Sequence, residues 1–405
     1  MSLIFPDGTF DFEFNRILAH ARYRGSDFRE VLSLVPKIKP GDFDSWHTAF
    51  VELAQRAEAS AGAEPQGSHE YSRRVSYADR LFAASTYYRA ADFFLHGNPD
   101  DPRINTLWDK QAACFDTALK HFGNGTRHLL KADSFSVPII YFKAPVGVGP
   151  TGPKKTILIG NGFDGAMEEM LHVNGIAGLE RGYNVILFEG PGQCTVRREQ
   201  KKGFIHDWER VVTPVVDFAL TLEEVDKEKI VLFGYSMSGQ LAVRAAAYEH
   251  RLAATVAIDG VFDVGSAFKA PEELLKLYSS GEEEKFIQEF GTWMFDPSTP
   301  TPSRWIYQHG LWAFNVATPV ELFDKLKAFT LEDSIDNVRC PVYVGDAQED
   351  IFFQGQPEIM AERLGDKANL RLFTTVEGAG MHCQVGAASL LNADVFDWLE
   401  RTFQG

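Results

Sequence analysis

Cysteine is scarce in this chain. Its 405 residues hold four, Cys114, Cys194, Cys340 and Cys383, and no two form a C-x-x-C pair. Neither a zinc site nor a disulfide framework is therefore expected. Positive charge is in deficit: 40 Lys and Arg stand against 56 Asp and Glu, a net charge of −16. That balance argues against nucleic acid or an anionic membrane as the main partner, though it selects no substrate. Long hydrophobic runs are missing, and none approaches the roughly 18 consecutive apolar residues of a membrane span. The opening MSLIFPDGTFDFEF has no basic n-region and no long apolar stretch, so no secretory signal is expected. The closing LERTFQG carries no lipidation or retention signal, and a cytoplasmic location is the expectation. H-E-x-x-H is absent, and the glycine-rich loops lack a phosphate-binding Lys-Ser/Thr, so neither a metal nor an organic cofactor is implied.

What is present is ordinary globular material. Hydrophobic residues make up 45% and charged residues 24%, enough to bury a large core without staples. At roughly 100–200 residues per domain, the length suggests two or three units.

The first third reads as helical. Trp46 to Ala59, Tyr71 to Leu95 and Leu107 to Phe122 space their apolar residues by three and four, with turn-rich SAGAEPQGS and HGNPDDP between them. Near Ser134 the period changes from about 3.6 to 2, and FSVPIIYFKA reads as a strand. Six further apolar strands follow: KTILIG (155–160), YNVILFEG (183–190), KIVLFGYS (229–236), ATVAIDG (254–260), CPVYVGD (340–346) and NLRLFTT (369–375). Helical segments lie between them: Ala166–Arg181, Asp207–Glu224, Met237–Glu249, Gln356–Leu364 and, after the last strand, Ala387–Thr402. Alternation of this kind indicates a mostly parallel sheet covered on both faces. About 80 residues separate ATVAIDG from CPVYVGD, far more than a simple crossover needs. They are helical and rich in aromatics (Phe286, Phe290, Trp293, Phe295, Trp305, Tyr307, Trp312, Phe314), as an inserted cap with its own core would be. The expected division is a helical N-terminal domain over 1–130 and an α/β domain over 131–405, with the cap at about 264–336.

The sharpest local signal is KIVLFGYSMSG, in which a buried strand runs through Gly234 and Tyr235 into Ser236 and a helix follows. This is the context of a strand-to-helix elbow that presents a nucleophilic serine. The elbow needs small residues two before and two after the serine. Gly234 supplies the first; the second is Ser238, with Gly239 one place late. Ser238 lies inside the helix and reads as a packing residue.

A serine hydroxyl needs a positioned base, and in such a sheet the partners follow in the order serine, acid, histidine. His382, in EGAGMHCQVG after the last strand, is the expected base. His309, within the cap, reads as structural or substrate-facing. The acid should follow CPVYVGD, where Asp350 is chosen and Asp346 is its rival. Met237, the residue after the nucleophile, should give one oxyanion N–H. The other should come from Asn161-Gly162-Phe163-Asp164-Gly165, with Phe163 favoured and Asp164 next. Asp164, Asp259 and Asp263 are further candidates for substrate contact or proton transfer, with helix capping the plainer reading of the last two. Glu189-Gly190-Pro191-Gly192-Gln193 reads as a turn after a strand.

With these motifs in place, the chain resembles a known group. ILIGNGFDGAMEE, FEGPGQC, FGYSMSG, GDAQEDIFF and EGAGMHCQVG, behind SYADRLFAASTYYRAADFFL, are similar to the α/β-hydrolases related to dihydroxypseudooxynicotine hydrolase. They are closer still to the fungal polyketide-shortening hydrolases of the yellowish-green type. The resemblance implies an α/β-hydrolase fold and serine-dependent hydrolysis of a carbon–carbon bond beside a ketone. The substrate it implies is a polyketide-like aromatic small molecule of secondary, pigment-type metabolism. By that analogy Ser236, Asp350 and His382 form the triad, and a further acidic residue assists, for which Asp259 and Asp263 are nearby. Relatives that act as esterases, lactonases or ring-closing acyl transferases leave those reactions open, as does a catalytically silent ligand-binding protein on the same fold. The exposed face of the N-terminal helices offers a surface for a homodimer.

Overall fold

The computed structural model describes residues 4–67, 70–123 and 125–404; the end of SAGAEPQGS, at Ser68, lies outside the described residues. Five helices come first: α1 (Gly8–Ala19), α2 (Phe28–Leu32), α3 (Phe43–Ala61), α4 (Tyr71–Asp92) and α5 (Pro102–Phe122). Carboxylates start several of them. Asp7 accepts the N–H groups of Thr9 and Phe10, Asp42 that of Ser45, and Asp101 that of Arg103, the usual service of an N-cap.

Helix α1 was not anticipated, because FDFEF alternates at the period of a strand. Its two faces are both buried. Phe10, Phe14 and Ile17 fall on one face and pack into the helical core, where the Phe10 ring meets Trp46 at 5.1 Å and Phe94 at 4.9 Å. Phe12 and Arg16 fall on the other face and look toward the sheet.

Eight strands form one sheet: β1 (Gly125–Lys131), β2 (Ser136–Phe142), β3 (Lys154–Gly160), β4 (Asn184–Phe188), β5 (Val225–Tyr235), β6 (Ala254–Ile258), β7 (Val342–Ala347) and β8 (Ala368–Phe373). Their order is β1-β2-β4-β3-β5-β6-β7-β8. β2 pairs antiparallel with β1 and β4, and every other pairing is parallel. β1 runs across the 130/131 division suggested by sequence, with all but Lys131 on the N-terminal side. It is a mostly exposed edge strand, so its residues show no apolar alternation to reveal it.

Around the sheet run α6 (Met167–Met170), α7 (Ile176–Glu180), α8 (Cys194–Gln200), α9 (Glu209–Thr221) and α10 (Met237–Ala246). A π turn over Leu171–Gly175 interrupts what sequence suggested was one helix over 166–181. Between β6 and β7 stand α11 (Glu272–Ser280), α12 (Glu283–Phe295), α13 (Thr301–Ala313) and α14 (Pro319–Leu326). Most of their aromatics do form a local core: Phe290 and Tyr307 meet edge to face at 4.7 Å. α15 (Gln356–Leu364) and α16 (Ala388–Thr402) complete the chain. Among the described residues, no helix is long and apolar enough to cross a membrane. The parallel strands β3, β5, β6, β7 and β8 all end at one edge of the sheet, and the segments that follow them meet there.

Candidate active site

At the end of β5 the chain turns sharply, and Ser236 takes φ 53° and ψ −125°. A side-chain residue is held in the left-handed region only when its surroundings over-determine it. Here the Ser236 N–H donates to the Ile258 carbonyl at 3.0 Å and its carbonyl accepts from Gly239 at 2.7 Å. A Cβ at Gly234 would collide with the Ser238 carbonyl, so the elbow admits only glycine there.

The segment after β8 brings His382 to the same place. Its Nε2 lies 2.9 Å from Ser236 Oγ, and its Nδ1 lies 2.7 Å from Asp350 Oδ2. Asp350 is held in turn: its Oδ1 accepts the N–H groups of Phe352 at 2.6 Å and Phe353 at 2.9 Å. The rival Asp346 makes no hydrogen bond to this imidazole; it is the last residue but one of β7, and burial pushes its carboxyl up to about 6.

A second carboxylate reaches the imidazole. Asp259 Oδ2 is 2.9 Å from His382 Nδ1, accepts the Cys383 N–H as well, and Oδ1 accepts from Gln384 Nε2 at 3.2 Å. The plainer reading of Asp259 as a helix cap is thereby corrected, since the carboxylate sits on the histidine loop. Asp259, Cys383 and Gln384 all adopt positive φ, at 55°, 55° and 49°, so this junction is tightly constrained. Burial by itself would favour a neutral imidazole, but the Asp350 and Asp259 carboxylates hold His382 well above the ordinary histidine range. Burial likewise opposes ionisation of Asp350, yet His382 and the two N–H donors keep its carboxyl below the usual value. Asp263 is not part of this cluster. Its carboxylate accepts the Gly265 N–H at 2.7 Å and caps the short turn Val264–Ala267.

Gly162 closes on Ser236 from β3. A Cβ there would lie 2.9 Å from the Tyr235 carbonyl and 3.0 Å from Ser236 Cβ. Phe163 follows, and among the described residues its N–H meets no acceptor. Met237 is the first residue of α10, where a backbone N–H has no intrahelical partner. The Phe163 carbonyl accepts from His309 Nε2 at 3.1 Å, and His309 Nδ1 faces His96 Nδ1 at 3.1 Å. His309 is thus a brace on this loop. Burial, then His96, lowers its pKa to about 3, so it is neutral and donates from Nε2.

Asp164 lies in a buried ionic cluster that ties the N-terminal helices to this loop. Arg16 Nη1 is 2.8 Å from Asp164 Oδ2, Arg16 Nε is 2.5 Å from Glu169 Oε1, and Arg89 pairs with Glu13. Burial raises Glu13 to about 7 despite Arg89 and Arg16. For Asp164 the balance goes the other way: Arg16 and Arg89 outweigh burial and lower it.

A cleft opens over Ser236. Phe163, Phe268, Trp305 and Phe352 give it an aromatic side, and Arg16, His20 and Glu169 a polar one. Of the aromatics read as cap core, Trp305 is the one that faces this cleft. Asp259, His382 and Cys383 are the only trio among the described residues whose metal-ligating atoms converge, within 4.8 Å; the Asp259 carboxylate and His382 Nδ1 are already engaged with each other.

Residues 157–391, more than half of the chain, match the model of the alpha/beta hydrolase family. The chain belongs to the alpha/beta hydrolase family. Hydrolase LUC6 of Fusarium sp is 30% identical to it over an alignment of 427 positions, which covers 100% of this chain and 98% of that protein. The 20-hydroxy-prefusarin hydrolase FUS2 of Gibberella moniliformis is 29% identical, covering 100% of this chain and 98% of FUS2. The crystal structure of 2,6-dihydroxy-pseudo-oxynicotine hydrolase superposes with a TM-score of 0.71 at 20% identity, over 94% of each chain, which shows a shared fold. In this alpha/beta hydrolase, sequence reasoning missed Phe12, Arg16 and His20 as cleft residues. The one available signal was the charged pair Glu13 and Arg16 amid the phenylalanines of α1, which is unusual for a helix with no polar face.

Proposed function

We propose that this hydrolase is a serine enzyme in which Ser236 Oγ attacks a substrate carbonyl. His382 Nε2 takes the hydroxyl proton, and Asp350 orients the ring and stabilises the imidazolium. The N–H groups of Phe163 and Met237 hold the oxygen that becomes negative. The observation that carries the reading is the unbroken line Ser236 Oγ, His382, Asp350, with contacts of 2.9 Å and 2.7 Å.

The reaction best supported is hydrolysis of a carbon–carbon bond beside a ketone in a polyketide-like aromatic compound of secondary metabolism. The relatives named above support the metabolic setting, and the aromatic side of the cleft suits a flat apolar ligand. Collapse of the tetrahedral intermediate would then expel a carbanion, delocalised onto a neighbouring carbonyl or ring, which His382 protonates. Water, deprotonated by His382, then attacks the acyl group left on Ser236 Oγ, releasing it as a carboxylic acid and returning the proton to the serine. Asp259 contributes a second negative charge to the imidazolium formed in the first step. The triad would serve an ester or lactone equally well, so the distinction lies with the substrate.

Mass spectrometry of the protein quenched during turnover tests the reading. An acyl adduct on the peptide containing Ser236, lost in Ser236→Ala, is the expected result. Faster turnover of simple aryl esters than of any aryl β-diketone offered would overturn carbon–carbon cleavage. Undiminished hydrolysis by Ser236→Ala would overturn the serine mechanism itself.

A further inference from the structure

The segment Glu189–Gln193 follows β4, and neither the triad nor the cleft lining uses it. Yet Gln193 is almost wholly buried, at 1% exposure. The Gly190 N–H donates to its Oε1 at 2.9 Å. That contact fixes which end of the carboxamide is oxygen, because a backbone N–H requires an acceptor. The amide nitrogen must then face the loop after β3. There Nε2 donates to the Asn161 carbonyl and, at 3.2 Å, to the Gly162 carbonyl. Ser238 Oγ donates to the same Asn161 carbonyl. Its hydroxyl thus has a use that glycine at this position of the elbow could not supply.

The Gly162 carbonyl and the Phe163 N–H belong to one planar trans peptide, so they point in opposite directions. Fixing the first aims the second. The peptide cannot slide either, since Gly162 already abuts Ser236. Glu189 fixes the far end of the loop: its two oxygens accept the N–H groups of Met167 at 2.8 Å and Thr195 at 2.7 Å. The segment is therefore a frame for the backbone that faces the nucleophile.

We infer that Gln193 is a positioning residue for the oxyanion hole. Its carboxamide holds the Gly162–Phe163 peptide so that the Phe163 N–H is already aimed at the carbonyl oxygen of a substrate on Ser236. This rests on the serine-nucleophile reading. Donors fixed before the reaction need no reorganisation as charge develops, and losing one such donor costs roughly 10²–10³ in kcat. Loosening one costs less, about 10- to 100-fold.

The test compares a 4-nitrophenyl ester with its thionoester, whose sulfur accepts hydrogen bonds poorly. Gln193→Met keeps the length of the side chain and removes both polar ends. The expected result is a kcat for the oxygen ester lowered about 10- to 100-fold with KM nearly unchanged. The oxygen-to-sulfur rate ratio should fall by a similar factor, because the thionoester had little to lose. Ser238→Ala, which removes the hydrogen bond to the Asn161 carbonyl and the 3.4 Å one that Ser238 Oγ accepts from Gln193 Nε2 but leaves the Gln193 bond to Gly162, should give a smaller fall in the same ratio, and it decides the matter if Gln193→Met does not fold. Serine-dependent hydrolysis with an unchanged ratio in the folded variants overturns this inference alone. A wild-type enzyme that neither hydrolyses the esters nor is labelled at Ser236 by a fluorophosphonate overturns the serine reading, and this inference with it.

Discussion

His382 sits between a hydroxyl on one side and two carboxylates on the other, and this arrangement sets its acid–base behaviour. A base must be neutral to accept a proton. Because Asp350 and Asp259 hold the imidazolium well above the ordinary histidine range, kcat/KM should rise with pH through an ascending limb on the alkaline side of that range. Asp259→Asn removes one negative charge at 2.9 Å, which weakens the imidazolium, so the limb should move to lower pH. A pH–rate profile of the two proteins checks this; a limb that stays in place would mean that Asp259 does not act on His382. Asp350→Asn should lower kcat by about 10³- to 10⁴-fold, since the ring loses its orienting acceptor.

The elbow and α1 decide how well these side chains are presented. Ser236 keeps its strained backbone because β5 and α10 meet with no room to spare at Gly234. Gly234→Ala should therefore push Ser238 and the start of α10 away, with loss of activity and a lowered melting temperature. At α1 the cap is Asp7, which holds the N–H groups of Thr9 and Phe10 and also accepts from Thr301 Oγ1 at 2.5 Å. Asp7→Ala should cost about 1–2 kcal/mol in a denaturant titration. Much of the sheet was legible at this scale, because buried parallel strands are continuous apolar runs such as KTILIG. α1 and β1 were not legible, for opposite reasons: FDFEF is a helix with a strand's alternation, and GTRHLLK is a strand too exposed to show any.

At the scale of the whole molecule, the N-terminal helices and the sheet are joined by charge inside the protein. Arg89 on α4 pairs with Glu13 and lies 3.4 Å from Asp164. Arg89→Leu would leave buried carboxylates short of a cation, which costs about 3–5 kcal/mol when a buried pair is broken. The same cluster makes stability depend on pH. Glu13 has its pKa raised from 4.5 to about 7 by burial, so between those values the folded protein keeps a proton that the unfolded chain releases. The stability this contributes is complete below about 4.5, falls as pH rises, and is gone above about 7. Melting curves from pH 4.5 to 8 should show this decline in the wild type relative to Glu13→Gln, whose uncharged amide does not titrate.

The chain itself determined the order in which strands, elbow serine, acid and histidine appear, because each is written in a local pattern of apolar runs and turn residues. It also determined that a long helical excursion separates β6 from β7. Only the tertiary structure decided that Asp350 and not Asp346 meets His382, and that Asp259 shares the same nitrogen. Only there, too, do α1 and Gln193 belong to the site. Those contacts join residues far apart in sequence, and their geometry is set by how separate loops pack against one another, which no local pattern records.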